Sequence, residues 1–406
     1  MILNSNSKFL LSLLMVVSGC LAMKAQNTGE FQMISIEEPV PVNVNDSTTG
    51  WPWRINFTET VETPDSTPAV QIPVKIAVIL SDISANKDLE FARGMLMGLE
   101  NQKNENHKIS LSMINGAVSA DSVRMQLDEF SPILIVANFE KNFPAYLSNY
   151  ASDNNVMTVN AFDMRNEFYK NNPNMIQLLT PSNYFNQEIS EFIGKNFEGY
   201  QLVTLGDFDP NDQMYDRISA KFPIEIISFP DLKDFAQFTP DSEKNYLFYC
   251  FPNKKENVKA INEALISFRS KNPGILTAAI GRPSWITYTD FSKNFEAANV
   301  YIPSRCYFDP TTAEGKKFIM DYNKVHGHTP IKTFPVYSVM GYDLINHFVN
   351  GIEQSGNDYT KEWPKTPVLQ NEFSFKNAPG VAGYYNPEVY IVRFNSTGGA
   401  DKISIN

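Results

Sequence analysis

The sequence predicts an α/β fold. From residue 74 onward, short apolar segments alternate with segments whose apolar residues recur every three or four positions, as in an amphipathic helix. Most of the short segments are continuously apolar, which is typical of parallel strands covered by helices on both faces. At 406 residues the chain exceeds one ordinary hydrophobic core, so we expect two lobes.

The apolar segments predict the strands in chain order. They lie at 75–80, 108–114, 133–137, 156–159, 201–205, 224–229, 246–251, 275–280 and 299–302. The segment 108–114 alternates apolar and polar residues, which indicates a strand near a sheet edge. Helices are predicted between the strands, for example at 119–130, 184–197 and 254–270. A further helix is predicted at 311–325, where Thr311 and Glu314 form a capping-box pattern.

The turn after the first strand argues against a nucleotide site. It has the sequence "SDISANKD" (81–88) and contains no glycine, whereas a dinucleotide site needs glycines there for close approach to the pyrophosphate. No G-x-x-x-x-G-K-[ST] segment occurs elsewhere. Gly94 and Gly98 lie on one face of the following helix, and we expect them to let it pack closely on the sheet.

Neither catalysis nor metal binding is indicated by the remaining motifs. No G-x-S-x-G segment occurs, and His326 and His328 have no cysteine or acid at zinc spacing, which favours a solvated turn at a helix end. The loop "GDFDPND" (206–212) lacks the glycine and glutamate of a calcium loop, so turn and helix-cap chemistry is favoured. We therefore expect no enzyme, no cofactor and no metal.

The first residues are typical of an export signal. Lys8 precedes an apolar segment at 9–17 that is too short to span a bilayer. Cleavage before Cys20 would remove 1–19 and leave a lipoprotein with Cys20 as its lipid-bearing residue. Cleavage after Ala25 would remove 1–25 and leave a soluble periplasmic protein, although Met23 stands where a small residue is preferred. We favour the first alternative and expect membrane contact only through the lipid.

Residues 20–72 are predicted to form a flexible tether. The segment is rich in proline, threonine and acids and shows no sustained helical or strand period, so it cannot bury enough apolar surface to offset its chain entropy.

The formal charge of the whole chain is −11, which argues against nucleic acid or an anionic membrane surface as the main partner.

Two cysteines remain after export, Cys250 and Cys306. An oxidising compartment permits a disulfide between them. Each follows or ends a predicted strand, and buried free thiols are the favoured interpretation.

Several segments resemble the type I periplasmic binding proteins, the family of the branched-chain amino-acid binders. The resemblance begins in "KIAVIL…EFARGMLMGLE" at 75–100 and continues in "NNPNMIQLLTPSNYF" at 171–185 and "GRPSWITYTDF" at 281–291. It returns at 318–352, especially in Gly341-Tyr342-Asp343, and ends in "GYYNPEVYIVRF" at 383–394. The chain is most similar to cell-envelope members from Bacteroidota, some of which carry LysM repeats, although no such repeat is found here.

The resemblance implies two doubly wound parallel-sheet lobes joined by a three-crossing hinge. Lobe one would comprise 74–180 plus 307–355, and lobe two 181–304 plus 370–396. A small ligand would lie between the lobes at the carboxyl ends of the strands. This rule gives as candidate ligand-binding residues Ser81, Asp82, Asn138, Phe139, Asn160, Phe162, Asp207, Phe208, Phe251, Arg282 and Trp285.

Two functions follow from these expectations. The first is a solute-binding protein that closes on a small polar ligand and has a transporter or envelope protein as a further partner. The second is a pocketless lipoprotein that acts through protein contacts.

In amino-acid binders of the family, hydroxyl side chains after the third and fourth strands hold the ligand carboxylate. Here those loops are "ANFEKNF" and "NAFDMRN", which lack the hydroxyl pair, and Asp207 is the nearest candidate to meet an ammonium group.

Overall fold

The computed structural model describes residues 55–56, 74–101, 109–165, 167–222, 225–356, 359–361, 363–395 and 399–405. In this part of the chain, two seven-stranded sheets are each flanked by helices. The signal segment with Cys20, and most of the expected tether, lie outside the described residues.

The first lobe begins with strands and helices that alternate along the chain. These elements are β1 (Ile55–Asn56), β2 (Val74–Leu80), α1 (Asn86–Asn101), β3 (Ile109–Asn115), α2 (Ala120–Phe130), β4 (Leu134–Asn138), α3 (Ala145–Asn154), β5 (Met157–Asn160) and β6 (Met175–Gln177). Strands β2 to β6 pair in parallel. Strand β1 pairs antiparallel with β3, so two residues of the expected tether belong to this sheet and β3 is next to its edge.

The second lobe repeats this alternation. Its elements are α4 (Ser182–Asn196), β7 (Gln201–Leu205), α5 (Gln213–Ser219), β8 (Ile227–Phe229), α6 (Leu232–Ala236), β9 (Tyr246–Cys250), α7 (Lys255–Lys271), β10 (Thr277–Ile280), α8 (Ser292–Ala297) and β11 (Val300–Ser304). Strands β7 to β11 pair in parallel in the order β11-β10-β9-β7-β8. The predicted α/β class is confirmed.

The rest of the chain returns to both lobes. Helices α9 (Ala313–His326) and α10 (Tyr337–Ser355) and strand β12 (Tyr384–Tyr385) join the first lobe, and β13 (Tyr390–Phe394) and β14 (Ala400–Ser404) extend the second sheet. The chain therefore crosses between the lobes after β6, after β11 and after β12. The expected start of the last lobe-two segment at 370 is too early, because Phe373 and Phe375 pack in the first lobe's core.

The three crossings are hydrogen bonded to one another. The Thr180 hydroxyl donates to the carbonyl of Glu388, and the Nε of Arg305 donates to the carbonyl of Thr180 at 2.8 Å. The buried carboxylate of Asp343 on α10 accepts the backbone N–H groups of Leu369 at 2.8 Å and Gln370 at 2.7 Å. Burial raises the pKa of Asp343 to about 7, although these hydrogen bonds oppose the shift.

Glycines bring α1 and α10 into close contact. A Cβ atom at Gly94 would lie 1.8 Å from the backbone oxygen of Ser338, and one at Gly341 would lie 2.2 Å from that of Phe91. A Cβ atom at Gly98 would likewise meet the Ile345 side chain on α10. The glycines of α1 therefore serve packing, as expected, but they pack on a helix and not on the sheet.

The N-terminus of α9 differs by one residue from the expectation. Thr312, not Thr311, is the N-cap, and its hydroxyl accepts the N–H of Gly315 at 3.0 Å. The carboxylate of Asp309 instead holds Thr311, accepting its N–H at 2.8 Å and its hydroxyl at 2.6 Å. The cap therefore moves to the next residue.

Two further sequence expectations concern thiols and histidines. Cys250 and Cys306 are buried and free, as favoured. Helix α9 ends at His326, and Gly327 follows with a positive φ of 75°.

Among the described residues, no helix combines the length and the apolar character that a membrane span requires.

Candidate functional site

A cavity of about 530 Å³ lies between the lobes. The first lobe contributes the loop that follows β5. The second lobe contributes the start of α4, the loop between β7 and α5, and the turn after β10, and Arg305 comes from the crossing after β11. The lining residues are Met164, Arg165, Glu167, Ser182, Asn183, Phe185, Asn186, Asp209, Asn211, Asp212, Gln213, Met214, Arg282, Pro283 and Arg305. Its size is within the range of small-molecule sites.

The charge of Arg282 is compensated within the second lobe. Its guanidinium forms an ion pair with Asp212, whose side chain is 3% exposed, and donates to the Tyr249 hydroxyl at 2.6 Å. The same carboxylate accepts from the Tyr249 hydroxyl at 2.7 Å and caps α5 by accepting the N–H of Tyr215. Burial lowers the pKa of Arg282, opposed by the nearby charge of Asp209. Arg282 therefore lines the cavity as one half of an internal ion pair.

Within the described residues, the guanidinium of Arg305 has only neutral partners. Its Nε donates to the carbonyl of Thr180 at 2.8 Å, and its Nη2 lies 3.4 Å from the Ser182 hydroxyl. The guanidinium carbon lies 3.8 Å from the centroid of the Phe185 ring, a cation–π contact. No acidic side chain among the described residues forms an ion pair with it, and burial lowers its pKa to about 10.

Helix α4 begins at the same wall of the cavity. Its N-cap is Pro181, which provides no side-chain hydrogen bond, and its first turn contains no acidic residue. Ser182, Asn183 and Phe185 from this first turn line the cavity. The partial positive charge of a helix N-terminus therefore adds to that of Arg305.

The acidic side chains that line the cavity differ from one another in their hydrogen-bond and ion-pair partners. Glu167 forms an ion pair with Lys170 at 2.7 Å and accepts from Asn183 at 3.3 Å, which links the first lobe's loop to α4. Asp209 is exposed and accepts the backbone N–H of Asn211 at 2.9 Å. One wall of the cavity is thus cationic, and exposed acceptors stand elsewhere around it.

At the end of β2 and β4, a buried carboxylate engages the expected site residues. Asp88 accepts from the Ser81 hydroxyl at 2.8 Å, from the Asp82 N–H at 2.6 Å and from the Asn138 amide at 2.8 Å. Burial raises the pKa of Asp88, and the hydrogen bonds oppose this. The Asp82 carboxylate is exposed and accepts from Ser84, which lowers its pKa. This group does not line the cavity.

The other expected residues of the first lobe are buried. The Asn160 amide donates to Gln177 at 2.8 Å and to the carbonyl of Asp163 at 2.9 Å. Phe139 and Phe162 belong to the two hydrophobic clusters on either side of the first sheet. Their position at strand ends is as expected, but their side chains serve the core.

In the second lobe, the expected aromatic residues also pack against protein. Trp285 is fully buried, and its indole donates to the carbonyl of Pro252 at 2.9 Å, so it does not cover the cavity. Phe251 is buried, whereas Phe208 is 58% exposed and contacts the Phe251 ring edge to face. Asp207 is exposed beside Phe208. Of the expected site residues, only Arg282 lines the cavity.

Sequence reasoning missed Arg305, Asp209 and the start of α4. The carboxyl-end rule applies to β11 as well, and Arg305 is the first residue after it. The sequence analysis assigns no candidate residue after this strand. Asp212 was expected to serve as a helix cap, and it does so while also holding Arg282. No group of three or more potential metal ligands occurs among the described residues.

No protein-family model matches the sequence, and no curated protein matches it. Solved structures do match. A crystal structure from Rhodospirillum rubrum, provisionally described as a branched-chain amino acid ABC transporter, superimposes with a TM-score of 0.59 at 12% identity over 82% of this chain and 100% of that one. A branched-chain amino acid ABC transporter periplasmic ligand-binding protein from Burkholderia xenovorans gives 0.53 at 13% identity, over 81% and 94%.

The fold is that of the type I periplasmic binding proteins. The two-lobed arrangement implied by the sequence resemblance is thereby confirmed. At such low identity the likeness concerns the fold alone, so the function must be argued from the cavity.

Proposed function

We propose that this chain is a solute-binding protein that holds a small polar ligand between its two lobes. The observation that carries the proposal is the cavity itself, because both lobes and one hinge crossing contribute to its walls. A ligand there would contact both lobes at once and stabilise the closed arrangement over an open one. The fold, shared with a periplasmic ligand-binding protein, supports this.

The lining favours a polar ligand of the amino-acid, peptide or wall-fragment class. Arginine, asparagine and carboxylate side chains surround the cavity, while Phe185, Met164, Met214 and Pro283 offer apolar contact. Such a combination of apolar surface and a few polar groups is typical of small-molecule sites. The physiological role would be delivery of the ligand to a transporter, or sensing of it.

A thermal-shift screen with amino acids, short peptides and muropeptides tests the proposal. A ligand at one hundred times its dissociation constant stabilises the folded state by about 2.7 kcal/mol. Binding should also reduce the radius of gyration in small-angle scattering, since the lobes approach each other. A screen that gives neither a thermal shift nor compaction would count against a working cleft.

The alternative is a pocketless envelope lipoprotein that acts through protein contacts in peptidoglycan maintenance. One observation favours it: the polar groups at the ends of β2, β4 and β5 are engaged internally by Asp88 and Gln177. A negative ligand screen, together with co-purification of an envelope protein, would make this the better account.

We further propose that the protein is exported and anchored through Cys20, like the cell-envelope proteins from Bacteroidota that the sequence resembles. The apolar segment at 9–17 followed by Ser18-Gly19-Cys20 supports this. Labelling with a fatty-acid analogue should mark the wild type but not Cys20→Ala. Equal incorporation in both proteins would favour cleavage after Ala25.

A further inference from the structure

We propose that Arg305 is the anion anchor of the cavity and that the ligand is a small organic monocarboxylate whose carboxylate lies against this guanidinium. This inference rests on the proposed function and specifies the ligand class of the same site. It is carried by the contrast between the two partly buried arginines that line the cavity.

The contrast lies in their counter-charges. Arg282 is neutralised by Asp212 and is further held by Tyr249. Among the described residues, Arg305 donates only to Thr180 and Ser182, and it lies over the Phe185 ring. A desolvated cation without an anion is costly, and an incoming carboxylate would supply the missing charge. The contacts of Arg305 therefore hold its side chain in place but leave its charge without a counter-charge.

The guanidinium retains donors for a ligand. Arginine carries five N–H groups in a planar fork, and the described hydrogen bonds use one on Nε and one on Nη2. The start of α4, which has no side-chain cap, lies at the same wall and favours an anion there. The remaining N–H groups match the two oxygens of a carboxylate.

The acids around the cavity restrict the charge of the ligand. Glu167, Asp209 and Asp212 all line it; Glu167 and Asp212 form ion pairs with basic side chains, whereas Asp209 only lies near Arg282. A dianion such as a phosphate monoester would be attracted by the guanidinium of Arg305 and by the exposed Arg165, but its second charge would be repelled by Asp209. A monocarboxylate with hydroxyl or amide groups would satisfy Arg305 and could donate hydrogen bonds to Asp209.

The lining also requires an organic body. Phe185, Met164, Met214 and Pro283 provide apolar contact, and about 530 Å³ exceeds what an inorganic anion fills. Two sources share this chemistry, a free carboxylic acid and the C-terminus of a short peptide. The test must therefore separate them.

The experiment measures the affinity of the full-length mature protein for a probe panel by isothermal titration. One arm contains free hydroxy and aromatic monocarboxylic acids, the other dipeptides and tripeptides, and each probe is paired with its carboxamide. We expect at least one acid or peptide to bind the wild type, with its carboxamide at least tenfold weaker. The arm that contains the binder identifies the source.

Variants locate the effect. Arg305→Gln should weaken binding of that probe at least tenfold, and Arg305→Lys should weaken it less because the charge remains. Arg393→Gln is the matched control: Arg393 also belongs to the second lobe, lies 4.5 Å from the Tyr301 ring centroid and donates to Asn299, but it does not line the cavity. It should bind as the wild type does.

The outcomes separate this inference from the proposed function. Equal affinity for acid and carboxamide, or wild-type affinity in Arg305→Gln, overturns the anchor but leaves a working cleft. If the wider screen finds binding only of neutral or cationic solutes, the anchor is likewise overturned and the cleft is still a working one. No binding of any solute overturns both. If Arg305→Gln fails to fold, the acid and carboxamide pairs on the wild type and on Arg305→Lys decide the question.

Discussion

Substituting Gly94 with alanine should destabilise the first lobe strongly. The added Cβ atom would lie 1.8 Å from the backbone oxygen of Ser338, and such contacts are essentially never shorter than 3.0 Å, so α1 and α10 must separate by more than 1 Å. Overpacking of this kind costs about 1–3 kcal/mol or more, and here the obstacle is backbone that cannot rotate away. The higher helix propensity of alanine offsets about 1 kcal/mol of this cost. Because the obstacle is backbone, the cost lies at the upper end of this range, and we expect a net loss of about 2 kcal/mol.

Urea unfolding followed by circular dichroism measures this loss. Gly274→Ala is the control, because a Cβ atom there meets nothing within 4 Å and the residue does not have a positive φ. It should remain within about 0.5 kcal/mol of the wild type. A Gly94→Ala protein as stable as this control would refute the close contact between α1 and α10.

Two further predictions concern the buried carboxylate of Asp343 and a helix cap. The pKa of Asp343 is about 7 in the folded state, against an ordinary value of 3.8, so the folded state binds this proton more tightly. The group's contribution to stability is therefore full below pH 4 and is lost as the pH rises to about 7. Denaturant titrations should show this decline in the wild type and a smaller one in Asp343→Asn. Thr312→Ala should lower the free energy of unfolding by about 1 kcal/mol through loss of its N-cap bond to Gly315. A larger loss in Thr311→Ala than in Thr312→Ala would contradict the assignment of the cap.

The fold class could be predicted because its signal is local. A strand covered on both faces must be apolar whatever the protein binds, so β2, β4 and β9 were recognisable as continuous runs. The sequence did not reveal which elements pack against each other. That Gly94 and Gly98 share a helix face follows from the sequence, but whether a sheet or a helix packs against that face does not.

The sequence predicted which region of the fold forms the site, but only in part which residues line it. Strand ends were the right place to look, yet whether a polar side chain there is free depends on partners distant in sequence. Asp88 engages Asn138 from 50 positions away, and Asp212 engages Arg282 from 70. Arg305 is distinguished by the lack of such a partner, and a missing contact leaves no pattern in a sequence.

The most direct test of the central claim is a crystal structure with the most strongly stabilising probe bound. The account predicts ligand density in the cavity between residues 164–167 and 209–214, in contact with both lobes, and with its carboxylate on the guanidinium of Arg305. Density at a site formed by one lobe alone would contradict it.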